Sequence, residues 1–168
     1  NIKYFVSNSG ESPGILNRIF LAKEFLTSDT FISYGDTYAE INLKELFKYH
    51  MKHKKLVTIV VSSMQNPFGI VKCDEDNNLV DFVEKPTLNY FIGNFVINDK
   101  VFDVLPSNII TETNGKGIVK MFQYLLDNKQ VKIFEFNKLN FTVNTVAEVE
   151  EANKIMGSYY TFNERIGR

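Results

Sequence analysis

The stretch Phe31–Asn42, FISYGDTYAEIN, holds residues placed for chemistry. Thr30–Ser33 is strand-prone, Tyr34-Gly35-Asp36 follows, and a helical pattern opens near Leu43. A carboxylate in the turn after a strand points at a ligand site, because ligands of open α/β sheets bind beyond the carboxyl ends of strands. Gly35 lets a phosphate or sugar approach the backbone, and Asp36 is a hard oxygen ligand suited to Mg²⁺ and phosphate chemistry. Gly-Asp is also an ordinary turn dipeptide, so both readings stay open. Glu84-Lys85-Pro86 sets a carboxylate and an ammonium side by side at a strand end. The proline stops strand pairing and should hold Lys85 extended; a plain surface ion pair is the alternative. Gly93 interrupts the Phe91–Ile97 strand, as at a bulge or where a ligand comes close.

Other polar groups read more blandly. His50 and His53, at i and i+3, have metal-ligand spacing, but both flank an apolar stripe and no third ligand is placed nearby. The acidic run Asp74–Asn78 lacks the loop length and closing Glu of a calcium hand and reads as a hairpin tip. No Ser-His-Asp or Cys-His arrangement is evident. Lysines 44, 48, 52, 54 and 55 form a basic face. A nucleic-acid footprint would bring aromatic interleaving and a positive net charge, and the net charge is −1.

The elements that must position these residues follow from periodicity. Ile2–Val6 reads as a short strand, and Ser7–Gly14 as a loop. Ile15 to Leu26 recurs at helical spacing, with Pro13 in its first turn. A helix is predicted over Leu43–Lys54, and a strand covered on both faces over Leu56–Ser62. Helix and buried strand in alternation indicate βαβ units. Gly69–Lys72 and Leu79–Val83 form a hairpin. Val101–Leu105 is a helical turn and Asn108–Gly117 a loop. A strongly amphipathic helix spans Ile118–Leu126. Val131–Phe136 and Asn140–Asn144 are strands. A last helix runs from Val146 to Met156, capped by Asn144 or Thr145, and the tail beyond it offers Tyr159, Tyr160 and Phe162 as docking groups.

Size and composition set the class. The chain has 168 residues, 44% hydrophobic and 14% aromatic, enough for one real core. A single cysteine, Cys73, excludes an intramolecular disulfide framework, which fits a reducing, cytoplasmic setting. No apolar run approaches the length of a membrane span, and no signal peptide pattern opens the chain. Asn1 in place of an initiator Met suggests a processed chain or a fragment.

YGD (Tyr34–Asp36), FVEKP (Phe82–Pro86), GNFVI (Gly93–Ile97) and VNT (Val143–Thr145) occur in that order. Together they resemble the sugar-phosphate nucleotidyltransferases, such as glucose-1-phosphate cytidylyl- and thymidylyltransferases and hexose- or heptose-1-phosphate guanylyltransferases. The resemblance covers about Gly14 to Met156 and singles out no sugar and no base. It implies an α/β fold with a three-layer, Rossmann-like mixed sheet. It implies that Asp36 and Asn144 hold Mg²⁺, that Glu84 binds sugar hydroxyls, and that Lys85 contacts the sugar phosphate. Gly93 would let the sugar lie on the backbone, and Gly14 would sit in the loop that reads the nucleotide. Substrates would be an NTP and a sugar-1-phosphate, with neither nucleic acid nor membrane as a partner.

One family feature is missing: the glycine-rich G-x-G-T-R loop, which cradles the triphosphate with backbone N–H groups, occurs nowhere in the sequence. The resemblance therefore makes residues 1–156 the C-terminal two-thirds of such a domain, N-terminally incomplete, with 157–168 as a tail. A dimer or a partner chain would cover the unfinished sheet, and the chain alone would not turn over. The rival from another class is a non-catalytic interaction or regulatory subunit. A glycosyltransferase ranks last, because Gly35-Asp36-Thr37 is not its Asp-x-Asp motif.

Overall fold

The computed structural model describes residues 3–113 and 115–166, with backbone only for 162–166. In chain order it contains α1 (Ile15–Leu21), a 3₁₀ turn (Lys23–Phe25), β1 (Asp29–Ser33), β2 (Thr37–Ala39), α2 (Leu43–His53), β3 (Val57–Gln65), β4 (Ile70–Cys73), β5 (Leu79–Val83) and β6 (Thr87–Asn98). It continues with α3 (Val101–Val104), α4 (Ser107–Ile110), α5 (Lys116–Asp127), β7 (Val131–Glu135), β8 (Asn140–Thr142) and α6 (Val146–Ile166). Four strands form a sheet in the order β1-β6-β3-β7, while β2 pairs with β8 and β4 with β5. Bonds from Asn98 N–H to Leu56 O and from Asn66 N–H to Pro86 O run β6 against β3. Bonds from Val57 N–H to Gln130 O and from Phe136 N–H to Val61 O run β7 alongside β3. The sheet is mixed and the fold α/β, as the sequence leads one to expect.

The chain forms two compact units. The first takes Asn1–Ile32, Asn42–Val60 and Asn94–Phe134; the second takes Ser33–Ile41, Val61–Gly93 and Glu135–Arg168. In the first unit, Val57, Val60, Phe95, Val96, Ile97, Met121 and Leu125 are buried. Consecutive burial along Phe95-Val96-Ile97 means that both faces of this part of β6 are covered, so the run needs no polar alternation. Ile118, Met121 and Leu125 line the inward stripe of α5. Gly117 lets that helix approach closely: a Cβ there would lie 3.2 Å from Ile109 O and from the Leu16 side chain. In the second unit the β4–β5 ribbon is exposed at every residue. It pairs antiparallel from Ile70↔Val83 to Cys73↔Leu79, with an irregularity after Lys72.

Several expectations need correction. Lys3–Val6 form no strand, and Ile2 lies outside the described residues; a strand needs a ladder partner, and Phe5 instead stacks on Phe25 at 4.7 Å. Pro13 lies ahead of the first helix rather than in its first turn, since Gly14 is the N-cap. That helix ends at Leu21 and tightens into the 3₁₀ turn. Residues 108–110, expected in a loop, belong to the short helix α4 (Ser107–Ile110) behind Pro106, whose fixed φ suits a helix start; Asn114 lies outside the described residues. The last helix runs on past Gly157 to Ile166. Lys85 is not extended: its φ is +45°. Glu84–Pro86 must carry the chain from the ribbon into β6, and that bend overrides the usual pre-proline preference.

Candidate functional site

Asp36 sits in a tight turn between β1 and β2. The β2–β8 ladder pairs Thr37 with Thr142, Tyr38 with Phe141 and Ala39 with Asn140. Val143 N–H donates to Asp36 O at 2.8 Å, extending the ladder by one step. Asp36 and Asn144 are thus brought to neighbouring positions from distant parts of the sequence. The Thr37 hydroxyl donates to Asp36 Oδ1 at 3.2 Å and lies 3.2 Å from the Thr142 hydroxyl. This ties one carboxylate oxygen of an exposed residue.

Asn144 is held by its backbone. Its N–H and that of Thr145 donate to Glu148 Oε2 at 2.6 and 2.9 Å, and Glu148 N–H donates to Thr145 Oγ1 at 3.3 Å. This is a capping box: the T-x-x-E spacing satisfies orphan donors at the start of α6 reciprocally. Those backbone bonds, that from Asn144 foremost, hold the Glu148 carboxyl below the ordinary value. The Asn144 side chain takes no part in the cap, which belongs to Thr145. Glu148 escaped the sequence reading, although its spacing from Thr145 was the signal.

Tyr34, before the turn, donates its N–H to Gly93 O at 3.0 Å and meets Phe91 edge-on at 5.9 Å. Burial, then the Asp36 charge, raises its hydroxyl pKa. Gly93 has φ +77°, and a Cβ there would lie 3.2 Å from Thr37 Oγ1 and from the Tyr34 side chain. Conformation and packing under the turn therefore demand a glycine whether or not a ligand is present. Gly35 has nothing within 4 Å of its would-be Cβ.

Glu84 and Lys85 form an ion pair at 3.7 Å with side chains 60% and 57% exposed. Glu84 Oε2 would lie 3.2 Å from a Cβ at Gly69. No bond among the described residues joins this pair to Asp36 or Asn144. The far end of α6 is tied to the same ladder: Tyr38 and Tyr160 share a hydroxyl hydrogen bond and Tyr159 donates to Glu40 at 3.2 Å. The bond with Tyr160, with burial and nearby charge, pushes Tyr38 up to about 12. Tyr159 and Tyr160 therefore dock as expected, while the Phe162 side chain lies outside the described residues.

Gly14 belongs to the first unit. A Cβ there would lie 2.8 Å from Glu112 O, so close backbone packing accounts for it. The preceding loop is tied by Arg18, which donates to Pro13 O at 2.9 Å and Gly10 O at 2.6 Å. The two histidines also lie in the first unit and form one ordered chain. Lys55 N–H donates to His53 Nδ1 at 3.0 Å, and His53 Nε2 and His50 Nδ1 each lie 2.7 Å from Thr58 Oγ1. Because His53 Nδ1 accepts, its Nε2 carries the proton and donates to Thr58; the Thr58 proton then goes to His50 Nδ1. His50 Nε2 donates to Asp29 Oδ1 at 3.1 Å, and Asn98 donates to the same oxygen at 2.7 Å. Every ring nitrogen is engaged, which favours the structural reading over a metal pair.

Among the described residues no helix is long and apolar enough to cross a membrane. The chain matches the Nucleotidyl transferase family over residues 1–152. It is 25% identical over 155 residues to the bifunctional protein GlmU of Methanocaldococcus jannaschii, covering 88% of this chain and 36% of that protein. It is 29% identical over 140 residues to the mannose-1-phosphate guanylyltransferase catalytic subunit beta of Drosophila melanogaster, covering 75% and 37%. The crystal structure of HddC from Yersinia pseudotuberculosis superposes with a TM-score of 0.59 at 18% identity, over 88% of this chain and 64% of that one. The chain thus spans little more than a third of the length of these curated relatives. With a match that takes in nearly the whole sequence, the chain belongs to the nucleotidyl transferase family.

Proposed function

We propose that Asp36, Asn144, Glu84 and Lys85 serve nucleotidyl transfer between an NTP and a sugar-1-phosphate. A sugar-phosphate oxygen bonds to the α-phosphorus, the bond from that phosphorus to the bridging oxygen of the β-phosphate breaks, and pyrophosphate leaves. Two polyanions must meet, so the protein's work is charge neutralisation and alignment. Lys85 offers its ammonium to the sugar phosphate. Its ion pair with Glu84 is exposed and hence weak, so it yields readily to a phosphate. Glu84 accepts hydrogen bonds from sugar hydroxyls, and Gly35 leaves room for a phosphate against the turn. The Asp36 carboxylate and the Asn144 amide oxygen fit Mg²⁺, which takes one or two such oxygens and leaves its other positions to water and phosphate. When bound, that ion supplies positive charge at the α-phosphate.

The observation that carries this reading is the bond from Val143 N–H to Asp36 O, which makes neighbours of Asp36 and Asn144. The test titrates glucose-1-phosphate with Mg²⁺ into the chain and follows backbone amide shifts. Residues 35–37, 84–86 and 143–145 should move, and Lys85→Ala should weaken the response. Shifts confined elsewhere, or indifference to Lys85→Ala, would refute the assignment. Pyrophosphate release by the 168-residue chain should be absent, because the G-x-G-T-R donors are not in its sequence and each lost donor of that kind costs on the order of 10²-fold. Robust turnover would show that loop to be dispensable.

A second reading is a non-catalytic interaction subunit, and the open edge of the sheet favours it. Among the described residues β1 ends the strand order with β6 as its one sheet neighbour, and a strand from a second copy or another chain would pair there. A stable complex together with no response to sugar phosphate would decide for that reading.

A further inference from the structure

The first unit has a polar cavity formed without any residue assigned above to nucleotidyl transfer. Its volume is about 270 Å³, and Lys54, Lys55, Lys100, Asn98, Asp29 and His50 are among the residues lining it. A neighbouring cavity of about 390 Å³ is lined by Val104, Tyr124 and Leu125 among others. Leu56 and Lys100 wall both, so the two chambers adjoin. Both volumes fall near or within the range of small-molecule sites.

The chambers differ in chemistry. The first is lined by three lysines and a single acidic residue, Asp29. Among the described residues none of the three lysines is in an ion pair. Asp29 is already occupied at Oδ1 by His50 and Asn98, which moderates its repulsion of an incoming anion. Lys54 is held at φ +57° where α2 ends, a backbone region that lysine rarely adopts. The second chamber is mostly apolar with an aromatic wall. An anion-binding chamber joined to a ring-binding chamber is the layout that a nucleotide requires.

The geometry points to a binding site for a phosphate ester carrying a planar ring, of nucleotide size, with its phosphate among Lys54, Lys55 and Lys100 and its ring against Tyr124. This site is independent of the one built on Asp36. Solvated lysines completing the negative end of α2 are the competing account, and that account predicts no saturable ligand.

The test is calorimetric titration of the full chain with AMP, pyrophosphate and adenosine in EDTA, which removes Mg²⁺-dependent binding. AMP should bind with Kd below about 1 mM, more tightly than pyrophosphate or adenosine. The triple variant Lys54→Asn/Lys55→Gln/Lys100→Gln keeps a residue tolerant of positive φ at position 54 and should weaken AMP by at least about tenfold. Tyr124→Leu should remove the advantage of AMP over pyrophosphate while circular dichroism stays unchanged. Absence of saturable AMP binding, or an affinity that falls in Lys85→Ala and survives in the triple variant, would overturn the proposal.

Discussion

Two polar clusters, one in each unit, differ in what their side chains have left to do. In the first unit, Thr58 stands between His50 and His53, and Asp29 receives bonds from His50 and Asn98. His50 and Thr58 are almost wholly buried. In the second unit, Asp36, Glu84, Lys85 and Asn144 are all exposed, and their backbones carry more of the fixed geometry than their side chains do. Buried polar groups must find partners inside the protein; exposed ones held by their backbone keep side-chain atoms for a ligand. The metal-ligand spacing of His50 and His53 is thus accounted for by the bonds they make in the core.

Substitution should separate the clusters. Thr58→Val keeps shape and removes the hydroxyl that serves both imidazoles, leaving buried His50 Nδ1 without a donor. The expected loss is about 2–3 kcal/mol, read from urea unfolding midpoints. Asp36→Asn and Asn144→Ala should stay within about 0.5 kcal/mol of the parent. Ligand affinity should rank the other way: Asp36→Asn weakens Mg²⁺-dependent binding of sugar phosphate by about 10- to 100-fold, and Thr58→Val leaves it nearly unchanged. If Thr58→Val proves silent in the melts, the distinction between the clusters collapses.

The glycines sharpen the same contrast with a smaller effect. Gly93→Ala would force a side chain into positive φ, at roughly 1–2 kcal/mol, and press it against Tyr34 and Thr37. Gly14→Ala meets a backbone carbonyl at 2.8 Å that cannot swing aside. Gly35→Ala has open space and should be close to neutral in stability while reducing ligand affinity. Thermal melts of the three variants, paired with the titration above, check this order. A strongly destabilising Gly35→Ala would remove the argument that this glycine leaves room for a phosphate.

Much of this was legible in the sequence, for physical reasons. The Leu56–Ser62 run, the α5 stripe and the hairpin around Asp74–Asn78 have strong local signals, and each is found within a few residues of its predicted place. Lys3–Val6 failed because strand propensity without a partner yields no ladder. Lys85 failed because the bend from the ribbon into β6 outweighed a local preference. The neighbourhood of Asp36 and Asn144 depends on pairing β2 with β8, a long-range contact that spacing alone cannot supply. Gly14 and Gly93 drew attention as glycines, but it is the fold that brings Glu112, Tyr34 and Thr37 beside them. Thr58 and Asp29 had no signal at all, since a partner on another element leaves no periodic trace.

The smallest expected effect is a pH dependence at the start of α6. The bonds from Asn144 and Thr145 hold the Glu148 carboxyl below its ordinary 4.5. A depressed carboxyl contributes stability that is fully present above the unfolded value and is lost as pH falls through the folded one. Amide exchange at Asn144, Thr145 and the first turn of α6 should therefore be protected at neutral pH and accelerate, relative to intrinsic rates, below about 4.5. Glu148→Gln keeps an acceptor for the capping box but cannot titrate. It should retain most of the protection at pH 7 and lose the acid step. His53 supplies the contrast: burial, then the charge of His50, lowers its pKa, so its share of stability falls away in acid from about 6.5 downward, in the first unit and through different amides. An acid step at α6 that survives in Glu148→Gln would not come from the capping box. In that event the cap would not be what fixes Asn144 beside Asp36, and the β2–β8 ladder alone would have to do so.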